Sequence, residues 1–387
     1  MHHFILPKQD TWISSGSSTI TNESFKNQNF GKDQILEVKK EFFNNSFHHQ
    51  TRALVQFSGT EFTELSKSIA DGTIPQPLST TGAEAVSGNS KFFLRLYEVE
   101  GNSKFTSGDY TLAIQPISQS WTEGTGKFGD NPKNTNGCSW ENSSNPIGGS
   151  TNTWKNNFGL TTSGASILNV SQSTQTFSNQ SPDVEVEVTN MFRMWIKGQT
   201  DNNGMLVRIS GSQETDKTTF AQLKFFSKNT HTIYPPRLEV RWDDSSFDAG
   251  VTGSLTELTS SGLVENHLYV KGLRESYKEN ERVKFRIGAR KKHIQKTFTE
   301  SVHISSGSYI PEGSGSYAIK DVATNKFIVP FSEYTKISCD SNSNYFIQWL
   351  DGFYPDRVYK IQLKLKTDDS QEQIFDDDFE FIVKRNI

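Results

Sequence analysis

Cysteine is nearly absent from this chain: Cys138 and Cys339 are the only two in 387 residues. They lie far apart, and neither belongs to a Cys-x-x-Cys pair or any other ligand spacing. Two unbridged thiols are expected, as suits a reducing cytoplasm, and a zinc site has no support. Long apolar runs are missing too. Nothing approaches the roughly 20 apolar residues of a membrane helix, so no membrane partner is expected. The opening Met1-His2-His3-Phe4-Ile5-Leu6-Pro7-Lys8 lacks the charged start and sustained apolar stretch of a secretory signal. Positive charge is not in excess: the formal net charge is -4. That argues against nucleic acid as a partner, which needs a concentrated basic field. The one basic cluster, Arg286, Arg290, Lys291, Lys292 and His293, reads as a solvated strand end or turn.

Apolar residues make up only 33% of the chain, yet aromatics reach 12%, so the low apolar fraction does not signal disorder. It fits thin β-layers in which each strand buries one face and wets the other, with large rings supplying core volume. Period-two segments bear this out. Val184, Val186 and Val188 alternate with Asp183, Glu185 and Glu187. Leu238, Val240 and Trp242 alternate with Arg237, Glu239 and Arg241. Val283, Phe285 and Ile287, then Tyr359, Ile361, Leu363 and Leu365, and finally Phe379, Phe381 and Val383 repeat the pattern. Such alternation puts one face on a core and the other in water, and Phe57, Leu96, Val186 and Val240 are expected inside. Helical signals are few. Phe62, Leu65 and Ile69 mark one helix over 60–70 with Thr60 as its cap, and Met191, Met194 and Trp195 mark another over 189–197, ended by Gly198.

The segment 122–180 is dominated by Asn, Ser, Thr and Gly. Loops this long are uncommon in compact domains and are often functional. Its aromatics, Trp140, Trp154 and Phe158, with Trp121 at its base, argue against full mobility because large rings find a surface to cover. A boundary falls near Asp243-Asp244-Ser245-Ser246-Phe247-Asp248. The expected organisation is a first domain over 1–243, a linker over 244–252 and a second domain over 253–387. The second domain shows strands at 268–287, 301–304, 316–319, 327–331, 345–349, 358–366 and 379–384. That number suits one immunoglobulin-like sandwich.

Seven ordered landmarks then carry a resemblance. Asp10-Thr11-Trp12-Ile13 leads to Asn27-Gln28-Asn29-Phe30-Gly31, and a strand follows at Ile35–Lys39. Arg52-Ala53-Leu54-Val55-Gln56-Phe57 forms an "RxLVxF" strand, and Phe92–Tyr97 a strand ending in Leu-Tyr. Trp121-Thr122-Glu123 is followed by Trp140 and Pro146; Val188-Thr189 runs to Trp195 and Gly198; Pro236–Trp242 closes the set. In this order they resemble the disaggregatase-related (DNRLRE) domain, described as a jelly-roll-type β-sandwich and as a carbohydrate-binding module. The chain departs from that pattern at Ser139-Trp140-Glu141, where the family has Thr-Trp-Asn. The pairing of such a domain with a compact β-module is similar to virion structural proteins of tailed bacteriophages, notably marine ones with contractile tails. The resemblance implies an all-β chain, an N-terminal jelly-roll-type sandwich followed by a smaller immunoglobulin-like one. It also implies a virion protein assembled in the host cytoplasm, in the neck, collar or tail-attached region, as a homo-oligomer among other virion proteins.

Catalytic constellations are not found. There is no Gly-x-Ser-x-Gly elbow and no phosphate-binding glycine loop. The carboxylate pairs Glu123/Asp130, Asp243/Asp244 and Asp376-Asp377-Asp378 read as solvated turns, and the His2-His3 and His48-His49 pairs as surface residues. No cofactor or metal is expected, and no enzyme activity. Trp121, Glu123, Trp140, Trp154 and Phe158 remain as candidate contacts, either with a neighbouring subunit or with a glycan whose ring faces suit an indole.

Overall fold

A computed structural model of the chain describes residues 1–17, 23–43, 47–77, 89–99, 104–105, 109–155, 163–168, 172–178, 183–248, 255–258, 265–293, 298–299, 307–367 and 371–385. The protein is all-β, and its antiparallel sheets form sandwich-like arrangements. The chain divides into two compact units, one of Ile5–Glu239 and one of Met1–Phe4 with Val240–Ile387. They are called here the N-terminal and C-terminal units.

From the start of the chain to residue 241 the elements are β1 (His2–Ile5), β2 (Gln9–Ser14), β3 (Ile35–Phe43), β4 (Phe47–Gln56), α1 (Thr60–Ala70), β5 (Lys91–Leu96), β6 (Lys104–Phe105), β7 (Asp109–Pro116), β8 (Asn142–Ser144), β9 (Asn152–Thr153), β10 (Ser173–Ser178), β11 (Val184–Glu187), α2 (Thr189–Ile196), β12 (Met205–Ile209), α3 (Gly211–Thr215), β13 (Ala221–Phe226) and β14 (Arg237–Arg241). The large sheet of the N-terminal unit runs β10-β7-β12-β4-β3-β13-β6. β4 is paired on both edges: Phe47–Thr51 with β3, and Thr51–Gln56 with β2 on the opposite edge, so that Thr51 faces both Lys39 and Ser14. Alternation explains the layers. In β3, Leu36 and Val38 are buried while Glu37 and Lys39 are half-buried on the other face. Lys40 occupies the next inward position and is also buried. Its Nζ donates to the Gln213 carbonyl at 2.6 Å and to Asp216 Oδ1 at 2.7 Å, which satisfies the charge.

Phe57, Leu96, Val186 and Val240 are buried, as the period-two pattern predicts. The same pattern misplaces Arg237, Glu239 and Arg241, which are buried rather than solvated. β14 is covered on both faces, and its carboxylate survives there because Arg95 donates to Glu239 Oε2 at 3.1 Å. Helix α1 covers the predicted residues, but Gly59 and not Thr60 is its cap. Helix α2 buries Met191, Phe192 and Trp195, and Gly198 follows it at φ 64°.

The remaining strands are β15 (Thr256–Glu257), β16 (Asn266–Lys271), β17 (Ser276–Lys278), β18 (Arg282–Lys291), β19 (Ser308–Tyr309), β20 (Gly315–Asp321), β21 (Phe327–Val329), β22 (Ser338–Cys339), β23 (Asn344–Trp349), β24 (Arg357–Lys366), β25 (Glu372–Phe375) and β26 (Glu380–Lys384). They form two sheets, β15-β19-β18-β23-β22 with β16 on β18, and β17-β26-β24-β20-β21 with β25 on β24. Their inner faces meet in one core that includes Phe285, Ile287, Tyr317, Phe346, Ile361, Leu363 and Phe381. The expected strand 268–287 is in fact three strands, and 301–304 lies outside the described residues. Of the expected linker, Ser246 and Phe247 fold onto β22: the Ser246 amide donates to Ser338 Oγ, and Phe247 bridges Cys339. Residues 249–252 are outside the described set.

Candidate functional site: a stapled tryptophan loop and the groove beside it

The loop that begins at Trp121 is folded, and the side chain of Asn29 folds it. Asn29 is buried in the turn between β2 and β3. Its Nδ2 donates to the carbonyls of Glu123 at 2.7 Å and Cys138 at 2.8 Å. Its Oδ1 accepts from the amides of Gly31 at 3.1 Å and Gly126 at 2.8 Å. Its own amide donates to the Asn134 carbonyl at 2.8 Å. Every side-chain hydrogen-bonding capacity of the amide group is used, so one residue fixes three points of the loop. The backbones approach so closely that only glycine fits. A Cβ at Gly124, where φ is 81°, would lie 2.0 Å from the Asn136 carbonyl oxygen.

Below this staple the three loop tryptophans are internal. Trp121, Trp140 and Trp154 are 6%, 7% and 1% exposed. They pack with Ile13, Leu54, Ile117, Cys138, Ala165, Ile167 and Leu206 in a small core of their own. Trp121 Nε1 donates to the Asn203 carbonyl at 2.8 Å, and Trp154 Nε1 to the Ser139 carbonyl at 2.9 Å. The Arg52 guanidinium lies 4.8 Å from the centre of the Trp140 ring and forms a fork onto Glu214 at 2.8 and 3.0 Å. Arg208 donates to the same carboxylate at 2.6 Å. No indole face is open to a sugar, which removes these three residues as a stacking platform. The rings are large enough to fill the space that a loop poor in aliphatic residues leaves empty. Phe158 lies outside the described residues. Burial raises the Cys138 thiol well above its ordinary value, so it is inert, and both cysteines are unbridged.

Glu123 is held within the unit by two lysines. Its carboxylate receives Lys32 at 3.2 Å and Lys228 at 2.9 Å. It also lies beside buried Asp10, whose Oδ2 accepts from the Lys228 amide at 2.6 Å and whose Oδ1 has no partner. Burial, with some help from the Glu123 charge, pushes the Asp10 carboxyl up to about 7. In the sequence Asp10 stands only as a landmark, because its neighbours Gln9 and Thr11 are polar and give no sign of its burial.

Next to the staple the sheet opens into a groove of about 760 Å³. One end is aromatic. Trp12 and Phe30 stack at 3.8 Å between ring centres, and Phe25 and Phe128 lie within 6.4 Å of the pair. Phe128 is 56% exposed and Phe25 half-buried, so these two rings are the ones open to a ligand. Asp33 braces the end: its two oxygens accept from Trp12 Nε1 at 2.9 Å and from the Phe128 amide at 3.0 Å. Burial raises the Asp33 carboxyl above its ordinary value. The floor follows from register. Glu37 is opposite Lys224, Lys39 opposite Gln222 and Thr51, and Glu41 opposite His49. All except Thr51 line the groove, together with Lys32 and Lys127. Lys39 pairs with Glu41 at 2.8 Å, and Gln222 donates to Glu37 at 2.7 Å. Buried Thr51 Oγ1 has no partner. A polar floor with apolar rings at one end can hold an elongated, hydroxyl-rich molecule by hydrogen bonds and ring stacking. The signal in the sequence is the odd-numbered run Ile35, Glu37, Lys39, Glu41, of which Ile35–Lys39 served above as a landmark strand only.

Histidines expected on the surface are inside. His2 and His3 are buried, His3 edge-on to Trp349 at 5.0 Å, and burial lowers the His3 imidazole to about 4. His49 lines the groove, and the side chain of His48 is not described. Among the described residues no three metal-ligating side chains converge. No helix among the described residues is long and apolar enough to cross a membrane. No protein-family model matches the chain, and comparison with curated proteins finds no match either.

Proposed function

We propose that the protein is a non-enzymatic structural component of a tailed-bacteriophage particle, placed in the neck, collar or tail-attached region. Its role is to contact other particle proteins as a repeated, rigid β-unit. The observation that carries this reading is the stapled loop. A 35-residue excursion, Ser120–Trp154, would be mobile by composition. Instead it owns a tryptophan core and a saturated Asn29 network. Order of that kind serves shape more than chemistry, since rigid surfaces lose less entropy on assembly. The resemblance of the ordered sequence landmarks to virion proteins supports the same reading, as does recurrence of one surface in symmetric assemblies. Mass spectrometry of purified particles is the test. The chain is expected at stoichiometric abundance, and its absence from intact particles contradicts the proposal.

A second reading rests on the groove. Phe25 and Phe128 beside a polar floor favour binding of a carbohydrate, at a place different from the tryptophan loop. On a glycan array, Phe128→Ala is expected to abolish binding while the fold persists. Silence of the unmodified protein across a broad array rejects this reading and leaves the first intact.

A further inference from the structure

The two sheets of the C-terminal unit treat charge in opposite ways. On the sheet built around β24, two lysines of the central strand are paired: Lys360 with Asp376 at 3.0 Å, and Lys364 with Glu372 at 2.9 Å. On the other sheet, three adjacent strands share an outward face fixed by their register. Opposite β18 residues Arg286, Gly288 and Arg290 stand Lys271, Tyr269 and His267 of β16. Opposite Arg282, Lys284 and Arg286 stand Trp349, Ile347 and Tyr345 of β23. Eleven outward positions thus hold five cations and no carboxylate. One acid reaches the face from outside it: Asp340 accepts from Lys284 at 2.8 Å and from Arg286 at 3.0 and 3.1 Å. Among the described residues Lys271, Arg282 and Arg290 form no ion pair.

The rings on this face brace the cations. Lys284 Nζ lies 3.6 Å from the centre of the Tyr345 ring, and the Arg282 guanidinium 5.7 Å from that of Trp349, which also meets His3. The Tyr269 ring lies across Gly288, where a Cβ would come within 2.3 Å of its Cζ, and it stacks on His267 at 5.6 Å. Uncompensated like charges on one small surface cost energy unless something of opposite sign covers them. Alternate residues of a strand are spaced about 6.6–6.8 Å apart, so Arg282 to Arg290 makes a row of about 27 Å.

We infer that this face is a docking surface for a linear anionic polysaccharide, one that carries carboxylate or sulfate groups along its length. The charge complementarity is direct. Single-stranded nucleic acid is the weaker fit, because its binders offer open rings for base stacking, and here cations cap the faces of Tyr345 and Trp349. The sequence showed only Arg286 and Arg290 of this face, within a cluster read as a solvated strand end or turn; register adds Lys271, Arg282 and Lys284 to them. This inference is independent of the groove and of the particle role.

The test is biolayer interferometry of the full chain against immobilised polygalacturonate, dextran sulfate, neutral dextran and poly(dT). Both acidic glycans are expected to bind at low salt and to lose about tenfold or more in affinity as salt is raised past the point where screening sets in. Neutral dextran is expected to be silent. The triple variant Lys271→Glu, Arg282→Glu, Arg290→Glu is expected to lose binding while melting like the parent. Should the triple variant misfold, the single changes Lys271→Gln and Arg290→Gln serve instead, each expected to weaken binding about threefold. Phe128→Ala, in the other unit, is expected to bind as the parent does. No binding of the parent to either acidic glycan overturns the inference, as does unchanged binding by folded variants. Tighter binding of poly(dT) than of both glycans overturns the assignment of the ligand.

Discussion

The N-terminal unit buries several charge networks, and the C-terminal unit, apart from Arg357 on buried Asp321, keeps its paired charges nearer the surface. In the first, Arg52 and Arg208 converge on Glu214, Lys40 is held by Asp216, and Arg95 meets Glu239, whose side chain is fully buried. In the second, one carboxylate, Asp321, is fully buried under Arg357, and the other links sit at sheet faces and turns: Lys284 and Arg286 on Asp340, Lys360 on Asp376. The apolar cores differ in parallel. The C-terminal unit packs two sheets into one core, while the N-terminal unit adds a separate tryptophan core that belongs to a loop. The lesson is that loops poor in aliphatic residues can still be made rigid, provided buried polar networks and a few large rings replace the missing methyl groups.

The largest expected effect tests that contrast in charge. Glu214→Ala leaves two arginines without their shared anion in a mostly buried setting, and should cost about 3–5 kcal/mol in the N-terminal unit. Asp340→Ala, at a surface pair, should cost about 1 kcal/mol or less. Urea unfolding of both variants measures the difference, and equal costs would erase the distinction.

Next comes the loop core. Trp154→Ala is expected to cost about 3–5 kcal/mol, as is Phe346→Ala in the two-sheet core of the other unit. A loss below about 1 kcal/mol for Trp154→Ala in thermal or urea unfolding would show that the loop core does not support its unit.

The two units should also respond to acid in opposite directions. Asp10 titrates in the fold at about 7, against an ordinary 3.8, because burial disfavours its charge. The N-terminal unit therefore loses stability as pH rises from about 4 to about 7, by up to about 4 kcal/mol. Asp10→Asn should remove that slope and stabilise the unit above neutrality. His3 is lowered to about 4 from 6.5 by burial, so the C-terminal unit loses stability as pH falls from 6.5 towards 4. Melting curves from pH 4 to pH 8, with Asp10→Asn and His3→Gln beside the parent, separate the two responses.

A smaller effect is expected from the staple. Asn29→Ala unmakes four side-chain hydrogen bonds, three of which hold the loop, at a cost of about 2 kcal/mol, concentrated in loop opening and not in global unfolding.

Strand alternation was plain in the sequence wherever one face is wet, as at Val184–Val188 and Tyr359–Leu365, because burial there has period two. It failed at Arg237, Glu239 and Arg241, where a strand covered on both faces accepts charges that carry their own partners. Both longer helices were legible from their apolar spacing. Gly198 after α2 was legible too, but the N-cap of α1 was not, since Gly59 acts through backbone conformation, which leaves no side-chain mark. The candidate site was half legible. The tryptophans were singled out correctly as ordered, but burial depends on Leu54 and Leu206 arriving from distant strands. Asn29 looked like one turn residue among many, because four of its five hydrogen bonds are made to residues about a hundred positions away. The groove and the basic sheet face are products of register, which a single sequence does not display across strands.

Hydrogen exchange within the loop tests the central claim most directly. The amides of Thr122, Cys138 and Ser139 donate to the carbonyls of Ser143, Thr122 and Asn142, and the Gly126 amide to Asn29 Oδ1. They are expected to be protected to the same degree as amides of β4 and β12, and to lose that protection in Asn29→Ala. Exchange of these amides at the rate of an unstructured peptide in the parent protein would contradict the account.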